Sequence, residues 1–146
     1  MCYSVYVSTD LSLDLGSFSS DLLRPALASQ EDLVDLQGLF SFPCIWVLGS
    51  GLGCGCHFRH LMPDCINDLW FSEPVDWFVE SAEQIEATRQ AYRMFKWMLE
   101  KGGRLELADL WTDFEVPKVV RMDVSLSAIS EEKFRFFENR LFRISL

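Results

Sequence analysis

Between Leu36 and Phe58 the chain carries no Asp, Glu, Lys or Arg, and five of its eight glycines fall in the same stretch. An uncharged run of that length either crosses a bilayer or is buried in a folded core. Pro43, Ser41, Ser50 and His57 interrupt it, and its most apolar part, Leu39 to Leu48, is too short to span a membrane. The run therefore belongs inside a globular core, and the remaining composition is able to build one. The 146 residues make about one domain, and 49% of them are apolar, which excludes general disorder. Twenty-two acidic residues against thirteen basic ones leave a net charge of −9, so neither a nucleic acid nor an anionic membrane is an expected partner. A mean hydropathy of +0.10 points instead to an apolar surface used for pairing, with a homodimer as the simplest form. Met1 to Val7 has no basic region and no long apolar stretch, so no signal peptide is expected and the cytoplasm is the expected compartment.

Periodicity sets the elements. Tyr3, Val5 and Val7 alternate with Cys2, Ser4 and Tyr6, as in a first strand. Asp10 to Leu15 suggests a helical turn, and Pro25 favours an extended Leu22 to Ala28. Glu31 to Leu39 reads as a short helix. Cys44 to Leu48 and Cys56 to His60 read as two strands of a hairpin joined by the glycine-rich run Gly49 to Gly55. Leu61 to Phe78 reads as a loop. Ser81 with Gln84 forms a capping box for a helix that Gly102 and Gly103 close. Arg104 to Trp111 and Val120 to Leu126 alternate as strands, and Ser130-Glu131-Glu132 predicts a final helix with Phe134, Phe137 and Leu141 as its stripe. The expected fold over residues 1–146 is a single α+β domain. It is a two-layer sandwich with a mainly antiparallel sheet and helices on one face, a ferredoxin-like arrangement being nearest.

The chemistry concentrates in the glycine-rich segment. Cys54, Cys56, His57 and His60, with Cys65 beyond them, are the candidate metal ligands, because soft thiolates and imidazole select ions such as Zn²⁺. Their spacing is not that of paired zinc knuckles. In a regular strand Cys56 and His60 would lie roughly 13 Å apart, too far for one ion. A site here requires the Gly53 to Gly55 region to bend and to draw further ligands from Cys65 or elsewhere in the fold. The competing reading buries Cys44, Trp46, Leu48, Cys56 and Phe58 as one sheet face, which needs no chemistry.

A second set, Gly51, Gly53, His57 and Arg59, could hold a small anion beside the turn, with Asp109 as an inward-facing acid. Against it stands an Arg59 paired with Asp109 or Glu73. The glycine spacing is not a dinucleotide fingerprint, since Cys54 and Cys56 fall where the third glycine belongs and no helix follows. Cys2 would be an N-terminal nucleophile if Met1 were removed, but the chain is short for such an enzyme. Asp76 reads as a loop-ordering residue. Trp70, Phe71, Trp77 and Phe78 read as a pocket lining, a dimer contact or a core cover. No catalytic residue is assigned, since no nucleophile elbow, His-Glu-x-x-His or P-loop is present.

The run Trp46-Val47-Leu48-Gly49-Ser50, followed by Gly53-Cys54-Gly55-Cys56-His57-Phe58-Arg59-His60, resembles a segment of a family of small bacterial hypothetical proteins of unknown function. The start Met1-Cys2-Tyr3-Ser4 and the stretch Phe134-Arg135-Phe136-Phe137-Glu138-Asn139 are similar to it as well. That resemblance implies a bacterial cytoplasmic protein and carries no catalytic residues. Two functions are expected from these readings. The first is a non-catalytic ligand- or protein-binding module. The alternative is a thiol-based metal-binding or redox protein using Cys54 and Cys56.

Overall fold

The computed structural model describes residues 2–51, 53–61, 79–111 and 115–146. In chain order the elements are β1 (Tyr3–Thr9), β2 (Leu23–Leu27), α1 (Gln30–Asp35), β3 (Cys44–Ser50), β4 (His60–Leu61), α2 (Ala82–Glu100), β5 (Leu105–Trp111), β6 (Val120–Ser125), β7 (Phe136–Phe137) and β8 (Arg140–Ser145). Six strands form one sheet in the order β2-β3-β1-β5-β8-β6, antiparallel except for the β6–β8 pair. β4 and β7 pair separately and in parallel, His60 against Phe136 and Leu61 against Phe137. The α+β class with a mainly antiparallel sheet is therefore as the sequence predicts. Among the described residues no helix is long and apolar enough to cross a membrane.

Strand alternation divides the interior into two layers. Val5, Val7, Leu48, Leu105, Leu107, Phe142 and Ile144 point to the face covered by α2. Tyr6, Ala108, Leu110 and Leu141 point the other way and meet Leu36 and Leu39, which follow α1. The Tyr6 hydroxyl also donates to Asp32 of α1 at 2.8 Å, so α1 adjoins the face opposite α2. α2 begins at the expected capping box, Ser81 with Gln84. Ala87, Thr88, Ala91, Met94, Phe95, Met98 and Leu99 form its buried side, while Ile85 and Tyr92 of the expected stripe are only half-buried. Pro25 sits in β2, an edge strand, where a missing N–H costs no ladder bond.

Two expected elements are replaced. The hairpin of Cys44 to Leu48 with Cys56 to His60 does not form, because both edges of β3 are already taken, by β1 and by β2. The chain after Ser50 instead closes on itself and makes a tight 3₁₀ turn over Gly55–His57. The final helix from Ser130 stops after one turn, in which Lys133 and Phe134 donate to the Ser130 carbonyl. Phe136 and Phe137 are both buried, and Leu141, Phe142 and Ile144 enter the sheet as β8. A strand buried on both faces carries apolar residues at helical offsets by coincidence, and the longer alternation decides.

A buried ion triad ties the flanks of β4 and β7 to the start of α2. Glu80, just before α2, accepts from Arg59 Nε at 2.8 Å and from Arg135 Nε at 2.7 Å, and all three side chains are less than a tenth exposed. Burial alone would raise the Glu80 pKa, but the two guanidiniums hold it below the usual carboxylate value. Glu80→Ala leaves two buried cations without their shared anion. Urea unfolding of that variant should show a loss of about 3–5 kcal/mol.

Candidate functional site

One end of the sheet brings together the start of β1, the end of β3 and the end of β5, and the glycine-rich turn folds over it. Ser50 is fully buried and organises the turn: its N–H and its hydroxyl both donate to the Cys54 carbonyl, at 2.9 and 2.6 Å. Its Oγ also accepts the His57 N–H at 3.1 Å. Gly53 adopts φ of 92°, a left-handed conformation that favours glycine. Gly55 lies so close to β1 that an added Cβ would sit 2.8 Å from the Tyr3 carbonyl oxygen. Only a residue without a side chain lets the turn reach β1.

The consequence is a cluster of three thiols. The Sγ atoms of Cys2, Cys54 and Cys56 all lie within 4.8 Å of one another, with Cys2 exposed and the other two half-buried. The Tyr3 N–H donates to Cys56 Sγ at 3.4 Å. Burial, followed by the neighbouring thiols of Cys54 and Cys2, pushes the Cys56 thiol up to about 11, although the Tyr3 N–H pulls the other way.

Behind the thiols lies a buried polar brace. His60 Nδ1 is 2.7 Å from Asp109 Oδ2, and its Nε2 is 2.7 Å from the Gly55 carbonyl oxygen. A carbonyl only accepts and so requires an N–H on Nε2; paired with an ionised Asp109, Nδ1 carries a second one and the ring is an imidazolium. Burial disfavours the charged ring, yet the Asp109 charge, its hydrogen bond and the Gly55 carbonyl outweigh it, so the His60 pKa is raised. The ring also stacks on Tyr3, centroids 3.9 Å apart and planes 11° from parallel. The Tyr3 hydroxyl donates to Glu138 at 3.0 Å, and burial together with Glu138 raises the phenol pKa. Asn139, in a left-handed conformation with φ of 54°, ties this corner to β5 by donating to the Asp109 carbonyl at 2.7 Å.

The candidates from the sequence fall into three groups. Cys54 and Cys56 come together, and Gly51 and Gly53 belong to the turn that carries them. His57, His60 and Asp109 do not join the thiol group: His57 is half-buried beside it, and His60 and Asp109 form the brace. Arg59 is enclosed, with Nε and Nη2 on Glu80 and Nη1 donating to the Glu132 carbonyl at 2.8 Å, so each guanidine nitrogen already has a protein partner. Its partner is Glu80, where the sequence suggested Asp109 or Glu73. Cys65, Trp70, Phe71, Glu73, Asp76, Trp77 and Phe78 lie outside the described residues. Cys44 is at the far end of β3, lining a groove of about 470 Å³ with Trp46, Leu33 and Leu27. The member of the thiol cluster that sequence reasoning missed is Cys2, far from Cys54 in the chain. Nothing local signals the pairing, which depends on how β1 and β3 align.

Comparisons with protein-family models, with curated proteins and with solved structures found no match. The geometry of the site is thus the basis for its function.

Two outcomes follow from the brace. Gly55→Ala forces the turn off Tyr3, and urea unfolding should register about 1–3 kcal/mol of destabilisation. For His60, a raised folded pKa means that its contribution is complete below the unfolded value of about 6.5 and is lost as pH rises through the folded value. Asp109→Asn should therefore lower stability by about 2 kcal/mol at low pH. That gap to the unsubstituted chain should narrow as pH rises above the unfolded value and through the raised folded one, in a series of urea midpoints.

Proposed function

We propose that this protein binds a soft metal ion through Cys2, Cys54 and Cys56. The observation that carries the reading is the convergence of three sulfur atoms within 4.8 Å. Around a tetrahedral ion with metal–sulfur bonds of about 2.3 Å, adjacent sulfurs stand about 3.8 Å apart, so closure asks each pair to move by no more than about 1 Å. Thiolates select ions such as Zn²⁺ and Cu⁺. His60, paired with Asp109, holds the carbonyl between Cys54 and Cys56 and so fixes the turn that carries these two thiols.

Two further facts favour this reading over its competitors. A redox or nucleophilic thiol must be a thiolate at working pH, and Cys56, whose thiol is pushed up to about 11, does not suit that role. A binding cation reverses that balance, because metal binding displaces the protons. The anion-binding module needs a cationic contact, and Arg59 is already satisfied by Glu80 and Glu132. A reducing compartment such as the cytoplasm would keep the thiols available.

The test is metal analysis of the reduced protein after incubation with Zn²⁺ or Co²⁺ and removal of free ion. One ion per chain is expected, with uptake weakening as pH falls because protons compete for the thiolates. Cys2→Ser, Cys54→Ser and Cys56→Ser should each lower it, and Cys44→Ser should leave it unchanged. Failure to take up any ion, or uptake indifferent to all three substitutions, would contradict the reading.

A further inference from the structure

The sheet has two outer strands, β2 and β6, and their outward backbone groups differ. In β2 the Ala28 N–H donates inward to the Ile45 carbonyl, so the outward positions are Leu23, Pro25 and Leu27, and the middle one has no N–H to offer. β6 has no such gap. The Val120 N–H donates to the Asn139 carbonyl, so Val120, Met122 and Val124 turn their backbone groups to β8, while Arg121, Asp123 and Ser125 turn theirs outward. Val120, Arg121 and Asp123 are all exposed, so the strand meets solvent there. Such a row of N–H and C=O groups is a template for another strand. We infer that a second copy of this chain takes that place, its β6 antiparallel to the first, with the two-fold axis at Met122.

Charge selects both the occupant and the register. Centring the pair on Arg121 sets two guanidiniums opposite each other, and centring it on Asp123 sets two carboxylates opposite, and like charges so placed repel. Centring it on Met122 sets Arg121 of each copy opposite Asp123 of the other, and Val120 opposite Val124 on the reverse face, where Val120 is otherwise 46% exposed. The sequence of β6 is thus complementary to itself in one register. The same charges extend a row already built inside the chain. Buried Glu106 of β5 accepts from Arg143 of β8 at 3.4 Å, and Arg143 stands beside Asp123 in the ladder. Arg121 of the other copy is the next member, so negative and positive residues alternate across the junction. Arg121 is held on that face by Nη2, which donates to the Gly38 and Leu39 carbonyls at 3.2 and 2.7 Å.

The experiment is sedimentation equilibrium of the reduced full chain with a metal chelator present, so that the thiols cannot bridge copies. A monomer–dimer equilibrium is expected. Arg121→Asp and Asp123→Arg should each raise the dimer dissociation constant roughly tenfold or more, because each makes both opposed pairs alike in charge. An equimolar mixture of the two variants should dimerise again, since every opposed pair then has opposite signs. Hydrogen exchange of the unsubstituted chain gives a second reading that needs no variant. The outward amides of Arg121 and Asp123 should exchange more slowly as protein concentration rises. A chain that stays monomeric at every concentration, or a dimer indifferent to both substitutions, would overturn the inference. So would variants with native circular dichroism that fail to pair when mixed. Should either variant not fold, exchange of those two amides at a rate independent of concentration would overturn it alone.

Discussion

One imidazole connects the sheet to the thiol turn. His60 holds Asp109 of β5 on one side and the Gly55 carbonyl on the other, and its face lies against Tyr3 of β1. The next links depend on it. Gly55 separates the two cysteines of the turn, Tyr3 adjoins Cys2, and Tyr3 also donates its N–H to Cys56. All three thiols are thus tied to the same charged brace through neighbouring backbone. In a low-dielectric interior, such a bonded pair of opposite charges is rigid when complete and costly when either member is removed.

Packing explains why the brace sits where it does. β1 and β5 run through the middle of the sheet, so their ends are held by neighbours on both sides. Asp109 is almost fully buried there, and its Oδ1 has no hydrogen-bond partner among the described residues. His60 is therefore its principal electrostatic counterpart among them. Arg59, one residue earlier, faces a different set of groups and, with Arg135, ties the β4–β7 pair to the start of α2 through Glu80. Adjacent residues of one short segment thus perform separate tasks, His60 supporting the thiols and Arg59 supporting the fold.

Much of the architecture was legible in the residues. The alternations of Tyr3 to Val7 and of Leu105 to Trp111 mark strands, and Ser81 with Gln84 marks the start of α2. The hairpin misread has a physical source, because a strand, a glycine run and another apolar stretch carry the same local signal whether or not an edge of the sheet is free. β3 had none to offer. The terminal segment misled for a related reason: Phe134, Phe137 and Leu141 satisfy a helical period over a window too short to separate it from a doubly buried strand. At the site, the need for the Gly53 to Gly55 region to bend, and for a ligand from elsewhere in the fold, was readable from strand geometry. Which residue completed the set was not, because strand alignment, a long-range property, brings Cys2 to Cys54 and Cys56. Asp109 was visible as an acid among inward-facing apolar residues, but its partner depended on the same alignment.

The central claim is that three distant thiols converge into one site in the native chain. Arsenite, which bonds three thiols at once with loss of water, tests it directly when followed by alkylation and mass mapping of the reduced, folded protein. The account predicts that one arsenic per chain shields Cys2, Cys54 and Cys56 together while Cys44 gains no protection. Alkylation of any one of the three at its arsenic-free rate, with arsenic in excess, would contradict it.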